Sequence, residues 1–152
     1  MGAIMKKVLV STFLAVLFIT SSIFAGGNYL KKDDKEDVEQ VITNFVKSVD
    51  TRDTGALSKA VFPGVNIFTF NQISNKLDNY TAAQFADLVR NGQKGGWIRT
   101  LNVSSVDVEG NIASAKVDIT DARLKESGYI TLIKDDGSWK IAAEVTTLSL
   151  NK

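Results

Sequence analysis

Apolar residues in the first part of the chain follow a helical period. From Asp34 to about Val49 they recur at steps of three and one, which predicts a single amphipathic helix. A second, shorter helix is predicted to start at Asp53-Thr54-Gly55 and to stop at Pro63-Gly64, because proline lacks the N–H that a helix interior requires. The chain therefore opens with two helices of unequal length.

A small hairpin and a third helix are predicted next. Val65 to Phe70 is typical of a strand, and Asn71 to Leu77 is predicted to pair back onto it. Thr81 and Gln84 have the spacing of a capping box, which predicts a helix start at Thr81. Gly92 stands where a helix stop is expected.

The pattern changes to period two at Trp97 and keeps that period to the end of the chain. Trp97 to Val108 is predicted as one strand with a bulge at Ser104-Ser105, and Ile112 to Asp121 as the next strand. Tyr129 to Lys134 and Trp139 to Leu148 are predicted to form a closing hairpin. Helices followed by antiparallel strands indicate an α+β domain, with the helices packed on one face of a curved sheet.

The N-terminal segment has the composition of an export signal. Lys6 and Lys7 precede a run from Val8 to Ala25 that contains no charge and becomes smaller and more polar towards its end. These features predict a cleaved secretory signal peptide over residues 1–27 and a single mature domain over 28–152. A retained membrane anchor is the alternative, because about 18 apolar residues are the least that can span a bilayer. The expected location is periplasmic or secreted, with no membrane contact after cleavage.

Composition removes several classes of function. The 152 residues contain 18 basic and 17 acidic side chains, no histidine and no cysteine. This balance provides no positive field for nucleic acid, so no nucleic-acid partner is expected. The two missing residue types exclude disulfides, cysteine nucleophiles, Ser-His-Asp triads and zinc sites built from Cys or His. No metal and no cofactor is expected.

The order of elements resembles the nuclear transport factor 2-like superfamily (cystatin-like fold), and within it the bacterial "putative lumazine-binding" group. The segments that carry the resemblance cover nearly all of the mature chain: Val38–Asp53, Tyr80–Gly92, Val106–Val117 and Gly128–Ile141. The resemblance implies a cone-shaped α+β fold, in which N-terminal helices pack on a curved mixed or antiparallel sheet. It also implies a site at the mouth of the cone, between the helices and the sheet.

Four residues are candidates for binding a ligand at that mouth: Asp121, Arg99, Tyr80 and Trp97. Asp121 continues the alternating apolar series that ends at Ile119, so its side chain is expected on the inner face, with Arg99 as its charged neighbour. The alternative places Asp121 at the strand end and Arg99 on the outside, both in water. For Tyr80 and Trp97, the alternative is that they pack in the core and bind no ligand.

Three functions remain open at this stage, since a superfold hosts many activities. The first is a binding domain for a small hydrophobic or aromatic ligand, of the lumazine or pterin type that the family name implies. The second is a pocket enzyme of the isomerase, dehydratase or cyclase type, resembling ketosteroid isomerase, and the third is a purely structural dimerisation module. An apolar cavity with uncharged polar groups favours the first, an isolated carboxyl with a raised pKa the second, and a filled cone the third. A homodimer is expected through the outer face of the long strands, with Thr146 among the outward side chains.

Overall fold

Three helices and six strands make up the described part of the chain. The computed structural model describes residues 32–152, so the predicted signal peptide lies outside the described residues. The helices are α1 (Lys32–Asp50), α2 (Thr54–Ala60) and α3 (Ala82–Arg90). The strands are β1 (Val61–Asn71), β2 (Lys76–Thr81), β3 (Thr100–Glu109), β4 (Ile112–Thr120), β5 (Leu124–Asp135) and β6 (Ser138–Leu150).

All six strands form one mixed sheet in the order β2-β1-β6-β5-β4-β3. The β1–β6 pair is parallel, and the other neighbouring pairs are antiparallel. The α1 stripe predicted from the sequence is buried against the inner face of this sheet, together with Leu57 of α2 and Phe85 and Val89 of α3. The α+β class is therefore confirmed, with one core between the helices and the sheet.

Local signals in the sequence set several boundaries correctly. The Thr81 side chain accepts a hydrogen bond from the Gln84 N–H, while the Gln84 side chain accepts one from the Thr81 N–H, so the capping box is confirmed. The register of β3 on β4 shifts between Val103 and Ser105, which is the predicted bulge. The closing turn is also confirmed, since Asp136 and Gly137 both have positive φ between β5 and β6.

Two predicted boundaries are wrong near the ends of strands. α2 ends at Ala60, and β1 already begins at Val61, so Pro63 lies in a strand and does not terminate a helix. Proline is tolerated there because β1 has no regular ladder before Asn66, where pairing with β2 begins. Trp97 belongs to the loop after α3, and β3 starts only at Thr100.

The closing hairpin differs most from its prediction. β5 begins at Leu124, five residues before the predicted start, and β6 contains a bulge at Ala142, since Leu132 pairs with Ile141 and Thr131 with Ala143. After an extra residue the side chains exchange faces. Thr146 is therefore buried on the inner face, and the expectation that it points outward is wrong.

Candidate functional site

A cavity of about 90 Å³ lies between α1, α3 and the inner face of the sheet. It reaches the surface beside Trp97, which is 46% exposed. Its apolar wall includes Phe45, Val49, Ile67, Phe85, Ile119, Leu124 and Leu148. Its polar lining consists of Thr69, Lys94, Arg99, Asp121, Glu126 and Glu144. The cone is therefore not completely filled, which argues against a purely structural module.

Strand register explains why polar side chains meet inside the core. Two rows of paired residues cross β1, β6 and β5 on the inner face. In one row Glu144 lies between Ile67 and Ile130, and in the other Thr146 lies between Thr69 and Gly128. A Cβ at Gly128 would lie 2.2 Å from the Val145 carbonyl oxygen, so the strands approach too closely there for any other residue. The bulge at Ala142 brings Glu144 and Thr146 into these rows.

Glu126 has three polar side-chain partners. Its Oε1 accepts hydrogen bonds from Thr146 Oγ1 at 2.7 Å and from Thr69 Oγ1 at 3.3 Å. Its Oε2 lies 3.8 Å from Nη1 of Arg99. Two hydroxyl donors and a guanidinium therefore surround the Glu126 carboxylate inside the cavity.

Arg99 is held mainly by the C-terminal residue of α1. Asp50 Oδ1 accepts from Arg99 Nε at 2.6 Å, and Asp50 Oδ2 accepts from the Arg99 backbone N–H at 2.9 Å. The side chains of Asp50 and Arg99 are 6% and 16% exposed, so the pair is largely buried. The guanidinium is thereby fixed between Asp50 and Glu126.

The loop that carries Lys94, Trp97 and Arg99 is tied to the end of α1. Arg52 Nη2 donates to the carbonyl oxygens of Gly92 and Gly95, at 3.3 and 3.1 Å. A Cβ at Gly95, where φ is +69°, would lie 1.8 Å from the Val49 carbonyl oxygen. The close approach requires glycine and determines where the loop residues stand at the cavity mouth.

Glu144 is the unusual group of the site. It is 3% exposed, and its Oε2 is buried with no hydrogen-bond partner among residues 32–152. Burial, and to a smaller degree the Glu126 charge, raises its pKa to about 8, while the charges of Arg99 and Lys94 oppose the shift. Glu144 is therefore a neutral acid at pH 7. It matches the expected raised pKa, but it is not isolated, because Glu126 and Arg99 line the same cavity.

Asp121 lines the cavity as its strand alternation predicts, but its carboxylate is used by a turn. Its Oδ1 accepts from the backbone N–H groups of Arg123 and Leu124, at 2.7 and 2.8 Å. These two hydrogen bonds lower the pKa of Asp121, with smaller contributions from the Arg123 charge and the Trp97 indole. The expected pairing with Arg99 is not formed, since Arg99 bonds Asp50 instead.

The other three candidates are placed differently from one another. Arg99 and Trp97 both line the cavity, whereas Tyr80 is not among its lining residues. The Tyr80 ring packs at 6.3 Å from the Phe85 ring, with Lys94 Nζ 5.7 Å from its own centroid. Burial, and to a smaller degree Asp78, raises the pKa of Tyr80. Tyr80 supports the wall and positions Lys94.

The residues that sequence reasoning missed are Glu126 and Glu144. Glu126 lies before Tyr129, the predicted start of its strand. The available signal was that Leu124, Glu126 and Gly128 occupy alternate positions, as residues on one face of a strand do. Trp139, Ile141 and Ala143 form an alternating apolar series, and Glu144 is out of phase with it. Strict alternation therefore assigns Glu144 to the outer face. Only the bulge at Ala142 reverses that assignment.

Neither a metal cluster nor a membrane-spanning helix is found in the described region. Within residues 32–152, no three acidic side chains are grouped so that they could hold a metal ion. No helix of this region is long and apolar enough to cross a membrane.

Comparison with known families assigns the chain. The sequence profile of the family described as "Putative lumazine-binding" matches residues 33–145, which is most of the chain. The chain belongs to this family. A comparison with curated protein sequences finds no match.

Several solved structures of nuclear transport factor 2-like proteins share the fold of this chain. A protein of unknown function from Silicibacter pomeroyi is 18% identical, with 78% of this chain and 97% of that chain covered and a TM-score of 0.66. One from Methylobacillus flagellatus is 20% identical, covering 82% and 97%, with a TM-score of 0.66. A ketosteroid isomerase-like protein from Erwinia carotovora atroseptica is 12% identical, covering 80% and 98%, with a TM-score of 0.60. Identities this low establish the fold alone.

Proposed function

We propose that this domain binds a small, flat, uncharged organic ring, of the lumazine or pterin type, in the cavity between α1, α3 and the sheet. The observation that supports it best is Glu144, which lines the cavity and whose buried Oε2 has no hydrogen-bond partner in the described chain. Buried polar groups are otherwise almost always satisfied, so a bound molecule is the natural partner. The family description points in the same direction.

Cavity size limits how such a ring can sit. The 90 Å³ of this cavity is less than the ~150 Å³ of an engineered apolar cavity that accepts benzene. One edge of a ring fits inside, while the rest occupies the mouth beside Trp97. A bicyclic ligand requires the Trp97 side chain to move, and the partial exposure of Trp97 leaves room for that movement.

Replacing Trp97 with alanine should weaken ligand binding by about three- to tenfold, because an aromatic contact contributes about 0.5–1.5 kcal/mol beyond its buried area. Native mass spectrometry of purified protein identifies any ligand carried with it, and titration calorimetry with lumazine gives the affinities. Ile73→Ala is the control, since Ile73 is 54% exposed in the turn between β1 and β2, away from the cavity lining and the proposed dimer contacts. Equal affinities for the Trp97 and Ile73 variants would reject this cavity as the site.

The raised pKa of Glu144 favours a second function, namely proton transfer on a bound ring, as in an isomerase, dehydratase or cyclase. A general acid or base works best when its pKa lies near the working pH, and about 8 meets that condition. Turnover that disappears in Glu144→Gln while ligand affinity is kept would support catalysis. Unchanged turnover of any substrate in that variant would exclude a proton-transfer role for Glu144.

We also propose that the domain is exported, on the basis of the signal-like composition of residues 1–27. The mature protein is expected to begin near Gly26 or Asn28. Intact mass of the protein from periplasmic or culture fractions measures this directly. Full-length chain recovered from the membrane pellet would instead indicate a retained anchor.

A homodimer through the outer face of the sheet is the proposed assembly. Phe70, Leu77, Tyr129 and Val145 are exposed on that face, and register places Phe70 opposite Leu77 and Tyr129 opposite Val145. A self-complementary apolar sheet face suits a two-fold interface. Light scattering at high micromolar concentration should give a dimer mass, and a monomer mass there would reject the interface.

A further inference from the structure

Glu144 carries chemical information about the ligand, beyond the proposal that a ring binds at all. We propose that the Glu144 carboxyl pairs with the edge of an uncharged cyclic amide or imide, in which an N–H stands beside a C=O. This inference rests on the proposed function and names the ligand class that the cavity selects. A protonated carboxyl offers one O–H donor next to one carbonyl acceptor. An amide edge offers the complementary pair.

The strand neighbours of Glu144 within the described residues do not satisfy its carboxyl. Its strand neighbours across the inner face are Ile67 on β1 and Ile130 on β5, neither of which has a polar side chain. Its Oε2 is buried and has no partner among the described residues. A buried donor or acceptor left unpaired is costly, so the site is built to be completed by another molecule.

The charged groups around the cavity leave Glu144 as the neutral member. Arg99 and Glu126 face each other, and Arg99 is further bonded to Asp50 of α1. Asp121 is occupied by its turn, and Lys94 lies over the Tyr80 ring. The cations lower the Glu144 pKa less than burial and Glu126 raise it, and the pKa stays near 8. The acid form, with its donor, is therefore the form a ligand meets at pH 7.

The walls of the cavity select a ring. Phe45 and Phe85 lie 6.1 Å apart between centroids, and Trp97 stands at the mouth. Aromatic walls favour a flat π-system, and the small cavity volume favours a single ring with its amide edge inside. The carboxyl and the aromatic groups together define one ligand class.

Uracil and 1,3-dimethyluracil are suitable probes, because methylation removes the N–H groups and keeps the ring. Calorimetric titration at pH 6 should show uracil binding to the wild type about tenfold or more tightly than the dimethyl compound. Glu144→Gln keeps a donor beside an acceptor, so uracil affinity should stay within about threefold. Glu144→Leu removes both and should lose at least about tenfold.

The pH profile separates this pairing from simple packing. Between pH 6 and pH 9 the wild type loses its carboxyl proton, so its uracil affinity should fall about tenfold relative to Glu144→Gln, which does not titrate. Ionisation of uracil affects both proteins equally, so it cancels in the ratio of wild-type affinity to Glu144→Gln affinity. A uracil affinity ratio that rises with pH would show that Glu144 binds the ring N–H as a carboxylate, and would overturn the inference.

Failure of this inference and failure of the proposed function give different results. If uracil and dimethyluracil bind equally, or if Glu144→Leu keeps wild-type affinity while circular dichroism shows a folded protein, the inference is overturned and a ring-binding cavity remains. If no ring, methylated or not, binds to the wild type and native mass spectrometry shows no ligand, the proposed function fails as well.

Discussion

Glu144→Gln is expected to make the protein more stable than the wild type at pH 8, with the gain disappearing near pH 4. In the folded protein the pKa of Glu144 is about 8, against an ordinary value of 4.5, so the native state holds a proton that the unfolded chain releases. Wild-type stability contributed by this group therefore decreases as pH rises from about 4.5 to about 8. At ~1.4 kcal/mol per unit of pKa shift, the advantage of Gln at pH 8 is on the order of 4 kcal/mol.

Urea unfolding at pH 4.5, 6 and 8 measures this difference in the free energy of unfolding. Glu109→Gln is the matched control, because it removes the same charge from an exposed position at the end of β3. The control should follow the wild type within about 0.5 kcal/mol at each pH. If Glu144→Gln also runs parallel to the wild type, Glu144 is an ordinary ionised carboxylate.

Asp50→Ala should destabilise the protein by about 3–5 kcal/mol. Its carboxylate makes two short hydrogen bonds to Arg99, one to Nε and one to the backbone N–H, with a side chain that is 6% exposed. Removing one partner of a largely buried ion pair leaves Arg99 with only its 3.8 Å contact to Glu126, which costs more than the pair contributes to stability. The loop that carries Lys94, Trp97 and Arg99 should also become less ordered, so ligand binding should weaken in parallel.

Asp87→Ala provides the comparison for this second prediction. Asp87 pairs with Arg90 on the surface of α3, where the Asp87 side chain is 61% exposed, and such pairs contribute about 0–1 kcal/mol. Thermal and urea unfolding of both variants at pH 7 test the contrast. Equal losses for Asp50→Ala and Asp87→Ala would mean that the Asp50–Arg99 pair is solvated in solution.

Local patterns in the sequence predicted most of the architecture. The α1 stripe, the capping box at Thr81 and the turn at Asp136-Gly137 depend on contacts within a few residues, which short-range periodicity and turn chemistry describe well. The resemblance to the nuclear transport factor 2-like superfamily supplied the arrangement of these elements. Boundaries failed where tertiary pairing overrode a local signal, as at Pro63.

The sequence by itself determined the helices, the strand order along the chain and the absence of histidine and cysteine chemistry. It also placed Asp121 on the cavity side, since alternation within β4 is undisturbed. Only the tertiary structure decided the polar interior. Asp50 meets Arg99 across 49 residues of chain, and the extra residue at Ala142 turns Glu144 inward. Periodicity does not predict either feature, because a bulge is set by pairing with neighbouring strands and an ion pair by the docking of a loop onto a helix end.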